Sequence, residues 1–146
     1  MAPKHQLCDT ALAARLVGAD PAALLDDPRS LPSVQRDGLL LGQLFESLVT
    51  LDVRVYAQAA EATVSHFRTS GGDREVDLIV ERADRRVLAI EVKLARTVGD
   101  GDGKHLRWLR DQLGPDLIDA VIVTTGPDAY RRPDGIAVVP AALLGP

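Results

Sequence analysis

Residues 75–94 read EVDLIVERADRRVLAIEVKL, and this stretch decides the fold. Two runs rich in β-branched and apolar residues flank a polar connection at residues 82–86, a pattern typical of two antiparallel strands joined by a short turn. Because side chains alternate between the faces of a strand, Glu75 and Ile79 are expected on one face of the first strand and Val76 on the other. The sequence therefore predicts a β-hairpin around which the rest of the chain is organised.

Acidic side chains meet at the open end of this hairpin if its turn is centred on Asp84. In that register Asp77 lies opposite Glu91, and Glu75 lies opposite Lys93. Two carboxylates directly across an antiparallel pair repel each other, and partial burial magnifies the effect, so the pair calls for a cation between them. Hard carboxylate oxygens favour magnesium or manganese. Removing the Asp77 carboxylate from the metal-free pair is expected to relieve repulsion and to stabilise the fold.

The alternative is an exposed cross-strand ion pair between Glu75 and Lys93, with Asp77 and Glu91 solvated, as surface charges usually are. Against this stands the second strand, which is apolar on both faces until Glu91, so that Glu91 and Lys93 interrupt a buried strand at its carboxyl end. Such an interruption indicates a site. A lysine next to a bound metal orients or activates water and balances the charge of a phosphate.

The longest helical pattern runs from Gly38 to about Ala60 and predicts the major core helix. Glu46 falls beside its apolar face, on a stripe shared with Val49 and Val53, which is an unusual position for an acid. It is either a boundary glutamate that reaches out to water or an outer metal ligand that acts through water. The residues expected on the inward face, apart from one acid, are Leu41, Leu44, Phe45, Leu48, Leu51, Asp52 and Val55.

The remaining periodic segments predict an α/β protein with a mixed sheet flanked by helices. Residues 1–37 indicate a small helical lead-in, with Asp9 as a cap and Gly18 as a stop. Residues 38–146 indicate one compact domain with the element order α-β-β-β-α-β and a terminal strand. Besides the hairpin and the long helix, we expect strands at residues 63–68, 119–125 and 136–139 and a helix at residues 104–113.

Composition limits the classes of function. The net charge of −4 and the pI near 5.3 argue against a freestanding, tight binder of nucleic-acid backbone, although they allow a local basic patch. The candidate residues for contact with backbone phosphate are Lys104, His105, Arg107 and Arg110, with the solvated face of their helix as the alternative. The single cysteine, Cys8, excludes an internal disulfide and a cysteine-based zinc cluster.

No segment predicts secretion or insertion into a membrane. The amino terminus lacks the charged start and apolar run of a signal peptide, and no window is apolar enough to cross a bilayer, so a soluble, cytoplasmic protein is expected. Residues 99–103 (GDGDG) lack the features of an EF-hand loop and of a P-loop, and we interpret them as the loop that leads into the next helix. The chain contains no Gly-x-x-x-x-Gly-Lys-Ser/Thr element, so no ATP site is predicted.

Glu46, Asp77 and the sequence Glu91-Val92-Lys93 resemble the PD-(D/E)XK nuclease superfamily over about residues 38–139. More closely, nearly the whole chain resembles the C-terminal domain of unknown function (family 4143) of bacterial AAA-type ATPases. The resemblance implies a restriction-endonuclease-like fold in which Asp77, Glu91 and the Val92 backbone carbonyl hold Mg²⁺ or Mn²⁺. It also implies that Lys93 positions the attacking water and that Glu46 assists from the helix. The segments that carry the closer match are residues 4–7, 9–12, 42–47, 67–69, 75–77, 91–93 and 105–109.

Two functions of different classes are therefore expected. The first is metal-dependent hydrolysis of DNA phosphodiesters by a domain derived from the C-terminal part of an AAA-type ATP-binding protein. The second is a non-catalytic interaction or assembly domain, which docks an AAA-type ATPase module or another protein partner, or belongs to a nucleic-acid-associated complex. The acidic pI favours the second.

Overall fold

The computed structural model describes residues 9–24 and 39–145 of the 146-residue chain. The chain divides into two compact units, residues 1–51 and 52–146. The boundary expected between residues 37 and 38 lies outside the described residues. None of the described helices combines the length and the apolar composition that a bilayer crossing requires.

The described part of the helical lead-in contains two short helices, α1 (Thr10–Leu16) and α2 (Pro21–Leu24). Asp9 caps α1, because its Oδ1 accepts hydrogen bonds from two backbone N–H groups of the first turn at 2.9 and 3.0 Å. The helix ends before Gly18, whose φ of +71° is a conformation that glycine adopts without strain. The predicted cap and stop of this helix are confirmed.

The predicted long helix is present as α3 (Leu39–Ala59), but its buried stripe differs from the predicted one. Val49 and Val53 are 0% and 6% exposed, whereas Val55, expected to face inward, is 55% exposed. The buried stripe is therefore the one that carries Glu46, which is itself half-buried. The large leucines of the neighbouring stripe dominate the hydrophobic pattern of the sequence. The periodicity therefore predicted that stripe, and not the stripe of Glu46, as the buried face.

The described part of the second unit is built on a six-stranded mixed sheet with the spatial order β1-β2-β3-β4-β6-β5. The elements are β1 (Thr63–Arg68), β2 (Glu75–Glu81), β3 (Val87–Val92), α4 (Lys104–Leu113), β4 (Leu117–Thr124), β5 (Tyr130–Arg131) and β6 (Ala137–Pro140). β1, β2 and β3 form an antiparallel meander, β3, β4 and β6 run parallel, and β5 pairs antiparallel with β6. Helix α4 supplies the crossover that parallel neighbours β3 and β4 require. This is the predicted α/β class with a mixed sheet.

The hairpin of β2 and β3 has the predicted register. Leu78 pairs with Ile90 and Glu81 pairs with Val87, so the turn is centred on Asp84. The pairs end at Leu78 and Ile90, so the register brings their neighbours Asp77 and Glu91 together at the open end of the hairpin.

A β-bulge in β2 changes the predicted face assignment. The two residue steps of β1 from Ser65 to Phe67 lie opposite three residue steps of β2, from Ile79 to Val76. The extra residue puts Val76 on the same face as Ile79, and both pack into one core cluster. The strict alternation predicted for this strand is therefore wrong before the bulge, because pairing with β1 inserts an additional residue.

The core of the second unit lies between α4 and one face of the sheet. Leu106 and Leu109 of α4 are buried against small and branched side chains of the central strands, among them Ala89, Ala120 and Ile122. This packing uses one stripe of α4 and leaves a flank on each side of the helix for polar contacts.

Candidate functional site

The open end of the β2–β3 hairpin brings Asp77, Glu91 and Lys93 to one edge of the sheet. The carboxyl ends of the parallel strands β3, β4 and β6 share this edge, and antiparallel β2 begins at it. In α/β sheets, ligands commonly bind just outside the carboxyl ends of the strands. The structure therefore brings together three of the predicted site residues at a position suited to a ligand.

Asp77 is fixed to the neighbouring strand by a hydrogen bond. Its Oδ2 accepts the backbone N–H of Val92 at 2.8 Å, beyond the last regular pair of the ladder. This bond holds the carboxylate next to Glu91, which directly precedes Val92. It also changes the expected effect of removing Asp77, since relief of repulsion is now opposed by the loss of an acceptor for a half-buried N–H group.

Glu91 is held in a setting that disfavours its charge. Its side chain is 13% exposed, and its Oε2 is the buried side-chain polar atom that has no hydrogen-bond partner within the described residues. Burial first, and the nearby Asp77 carboxylate second, raise the pKa of Glu91 to about 7 against the opposing effect of Lys93. The predicted conflict between the two acids is present.

The backbone carbonyl of Val92 points to the side of the strand on which Asp77 lies. Backbone groups of successive residues along a strand point to opposite neighbours. Lys93 donates its N–H to the Val123 carbonyl of β4 at 2.8 Å, whereas Val92 donates its N–H to Asp77 of β2. Since the N–H and C=O of one strand residue share a side, the Val92 carbonyl also faces β2.

These groups suit a hard divalent cation. Asp77 and Glu91 supply carboxylate oxygens and Val92 supplies a carbonyl oxygen, which are the ligand types that Mg²⁺ and Mn²⁺ prefer. In the described ranges, no group of three or more His, Cys, Asp or Glu side chains is placed to hold a metal ion. A metal bound here would have two side-chain ligands and one backbone oxygen, and few protein ligands are usual for Mg²⁺, which keeps several of its waters.

At this edge, Glu75 and Lys93 pair with other residues and not, as predicted, with each other. Lys93 Nζ lies 3.6 Å from Glu91 Oε1, and Glu75 Oε2 lies 3.9 Å from Arg68 Nε. Lys93 thus places its ammonium group beside the acid with the raised pKa.

The segment that follows Lys93 is fastened to the end of β4. The Thr125 N–H donates to the Ala95 carbonyl at 3.1 Å. Gly126 lies so close that a Cβ atom there would approach the Arg96 carbonyl oxygen to 2.6 Å, so a side chain would displace this segment. Sequence reasoning missed Gly126 as a supporting residue, because a glycine after a strand indicates only a turn.

His105 is attached to the first residue of β2. Its Nδ1 lies 2.8 Å from the Glu75 backbone oxygen and 3.4 Å from the Glu75 backbone nitrogen. Lys104, at the start of the same helix, is exposed. Contact of either residue with phosphate stays a prediction.

Arg107 and Arg110 lie on the opposite flank of α4, against the turn between β5 and β6. Arg107 Nη1 donates to Asp134 Oδ2 at 2.9 Å, and Arg110 donates to the Asp134 backbone oxygen. Sequence reasoning did not foresee these partners, which follow the helix by more than 20 residues. A role of these two arginines in phosphate contact stays a prediction.

Glu46 belongs to the first compact unit, whereas Asp77, Glu91 and Lys93 belong to the second. It is half-buried on the inner stripe of α3. Its predicted role as an outer ligand stays a prediction.

A protein family described as Domain of unknown function (DUF4143) matches residues 41–144 of the chain. The match includes most of α3, the whole six-stranded sheet and all the predicted site residues. A comparison with curated proteins finds no match.

Proposed function

This chain belongs to the DUF4143 family, and we propose that the open end of its β2–β3 hairpin binds Mg²⁺ or Mn²⁺ for the hydrolysis of DNA phosphodiesters. The observation that carries the proposal is the buried Glu91 Oε2, which has no hydrogen-bond partner within the described residues, beside a second carboxylate, Asp77. A bound cation would stabilise the ionised form of such a buried acid. The proposal includes a PD-(D/E)XK nuclease-like arrangement derived from the C-terminal part of an AAA-type ATP-binding protein.

The residues divide the chemistry between them. Asp77, ionised Glu91 and the Val92 carbonyl would hold the cation, which when bound supplies charge neutralisation at the phosphate. The Lys93 ammonium group, next to Glu91, orients the attacking water by donating hydrogen bonds and offsets the negative charge of the substrate. The hydrogen bond from Val92 keeps Asp77 in place before the ligand arrives.

Nuclease assays test this proposal. The wild type is incubated with labelled single- and double-stranded DNA in Mg²⁺ or Mn²⁺, beside Lys93→Ala, Asp77→Asn and the control Asp84→Asn. Asp84 is an acid of the same hairpin at its opposite end, so its variant matches the charge change of Asp77→Asn. We expect losses of about 100-fold or more in Lys93→Ala and Asp77→Asn and full activity in the control. Equal cleavage by wild type and Lys93→Ala would assign the activity to a contaminant or to another site.

A second function is favoured by the charge of the chain. A net charge of −4 is unsuited to strong binding of nucleic-acid backbone and suits a non-catalytic domain that docks an AAA-type ATPase module or another protein partner. In that case the metal-dependent cleavage of DNA is absent at every salt concentration. Both functions are proposed for the cytoplasm and for a domain that spans residues 38–146.

A further inference from the structure

Arginines line both flanks of α4, and the two sets have different partners. The turn flank consists of Arg107, Arg110 and the residues of the β5–β6 turn. The hairpin flank consists of Trp108 and the arginines of the β1–β2 hairpin, Arg68 and Arg74. The two flanks differ in how far the chain itself neutralises their charge.

On the turn flank, carboxylates of the chain neutralise the arginines. Asp134 accepts hydrogen bonds from Arg107 at 2.9 Å and from Arg132 Nε at 3.2 Å. Although burial alone would raise it, these bonds and the Ile136 N–H lower the pKa of Asp134 to about 2. Arg132 extends the network to the Gly99 carbonyl at 2.9 Å. This flank is an internal network that fastens the loop before α4 to the β5–β6 turn.

On the hairpin flank, Arg74 is held by an aromatic ring. Its guanidinium carbon lies 4.6 Å from the centroid of Trp108, and Phe67 lies 5.8 Å from the same ring. No ion pair joins Arg74 to a carboxylate of the described residues. A guanidinium that contacts a ring through its face keeps its N–H donors in its own plane, where phosphate oxygens accept them bidentately.

Arg68 is held by the turn of the same hairpin. Its side chain is 45% exposed, and its Nε lies 3.9 Å from Glu75, which is longer than a hydrogen bond. The guanidinium packs over Gly72, where a Cβ atom would come within 3.2 Å of Nη2. Gly72 has a φ of +76° and donates its N–H to the Thr69 carbonyl at 2.9 Å, so the turn that supports Arg68 depends on glycine.

Both arginines lie at the edge of the sheet that carries the carboxylate pair. β2 begins at this edge, and its first residue, Glu75, follows Arg74 directly and precedes Asp77 by two positions. We propose that Arg68 and Arg74 form a phosphate-binding pair that holds the backbone of a nucleic-acid strand next to Asp77 and Glu91. This inference rests on the proposed function, and it assigns the phosphate contacts to the hairpin flank instead of to Arg107 and Arg110 of the turn flank.

DNA binding tests the inference directly. Fluorescence anisotropy of labelled single- and double-stranded DNA is measured with the full chain in Ca²⁺, which occupies a carboxylate site without supporting rapid cleavage. The variants are Arg68→Gln, Arg74→Gln and their combination. The control is Arg85→Ala, which removes an 86% exposed arginine at the opposite end of the β2–β3 hairpin. Thermal unfolding of each variant separates loss of binding from loss of folding.

We expect the combined variant to bind about tenfold more weakly or worse, and the dependence of log affinity on log salt to become shallower by about 2. Arg85→Ala should bind DNA as the wild type does. If Arg85→Ala lowers the affinity for DNA as much as the combined variant does, the inference is overturned. It is also overturned if the wild type binds no DNA. Displacement of DNA by polyglutamate at equal charge concentration would also overturn it, in favour of an acidic protein partner.

Cleavage distinguishes failure of this inference from failure of the proposed function. If wild type cleaves DNA and the combined variant keeps the same kcat/KM, the phosphate-binding pair is refuted and the metal site stands. If the variants lose DNA binding as expected but wild type cleaves no substrate with any metal, the phosphate-binding pair stands and the hydrolytic function is refuted.

Discussion

The two ends of the β2–β3 hairpin both carry acids, but the described cations lie closer to the acids at the turn than to those at the open end. At the turn, Asp84 lies 2.9 Å from Arg86 and 3.6 Å from Arg82, and Glu81 lies 2.8 Å from Arg85. At the open end, Lys93 lies 3.6 Å from Glu91 and Arg68 lies 3.9 Å from Glu75, both longer than a hydrogen bond, and Asp77 accepts the Val92 N–H at 2.8 Å.

The pKa values show the consequence of this difference. A hydrogen bond from Arg86 lowers the pKa of Asp84, so its charge is favoured in the folded state. Burial and Asp77 raise the pKa of Glu91, so its charge opposes folding. The same pair of strands therefore has one end, the compensated end, at which the charge of Asp84 is favoured, and an open end at which the charge of Glu91 is disfavoured.

The largest expected effect is the pH dependence caused by Glu91. Its folded-state pKa of about 7 exceeds the ordinary value of 4.5, so the folded state binds the proton more tightly and loses stability as the pH rises through this window. Relative to wild type, Glu91→Gln should gain about 3 kcal/mol in free energy of unfolding between pH 4 and pH 8. Urea unfolding followed by circular dichroism at both pH values measures the change. If the two proteins differ in free energy of unfolding by the same amount at both pH values, the pKa of Glu91 is not raised.

Next in size is the effect of a side chain at residue 126. Gly126→Ala should lower the free energy of unfolding by about 2 kcal/mol, because the new Cβ meets the Arg96 carbonyl oxygen. It should also accelerate hydrogen exchange of the Thr125 amide, which bonds the segment after Lys93. The matched control is Gly101→Ala, where an added Cβ meets no atom within 4 Å. If both variants unfold at the same denaturant concentration, the close approach does not support the site.

A smaller effect is expected from Asp77, and its sign depends on the substitution. Asp77→Ala removes the acceptor of the Val92 N–H and should cost about 1 kcal/mol after relief of repulsion is subtracted. Asp77→Asn keeps an acceptor oxygen and removes the charge, so it should be at least as stable as wild type at pH 8. Chemical denaturation of both variants without metal makes the comparison, and equal losses would mean that repulsion from Glu91 is negligible.

The smallest effect is expected at the compensated end. Asp84→Asn removes an exposed, well-paired acid, so thermal unfolding near pH 7 should change little. Because the folded-state pKa of Asp84 is lowered, the small stability that it contributes is present at neutral pH and is lost on acidification, opposite in sign to Glu91. A variant that gained stability with rising pH, as Glu91→Gln should, would remove the contrast between the two ends.

Local sequence patterns predicted the hairpin and its register because turn length and residue type determine them. The polar connection centred on Asp84 set the register, and Glu91 and Lys93 marked the end of an apolar strand. Patterns along one segment did not predict features that depend on another. The bulge that turns Val76 to the face of Ile79 arises from pairing with β1.

Contacts between distant segments also determine the hydrogen-bond partners of the basic residues on α4. Spacing on α4 grouped Arg107 with His105, but Asp134 holds the first and the Glu75 carbonyl the second, on opposite flanks of the helix. In α3, the stripe of Glu46 is buried although its apolar side chains are smaller than those of the next stripe. Amphipathic periodicity locates a helix more reliably than it chooses between adjacent stripes of similar polarity.

Calorimetric titration with Mn²⁺ at pH 8 tests most directly whether the open end of the hairpin binds a divalent cation. Wild type and Asp84→Asn should each bind one ion with the same affinity, whereas Asp77→Asn and Glu91→Gln should bind at least about tenfold more weakly. The affinity of wild type should fall about tenfold at pH 6, because Glu91 must lose its proton to bind. Absence of binding by wild type, or equal affinities in wild type and Asp77→Asn, would contradict the account.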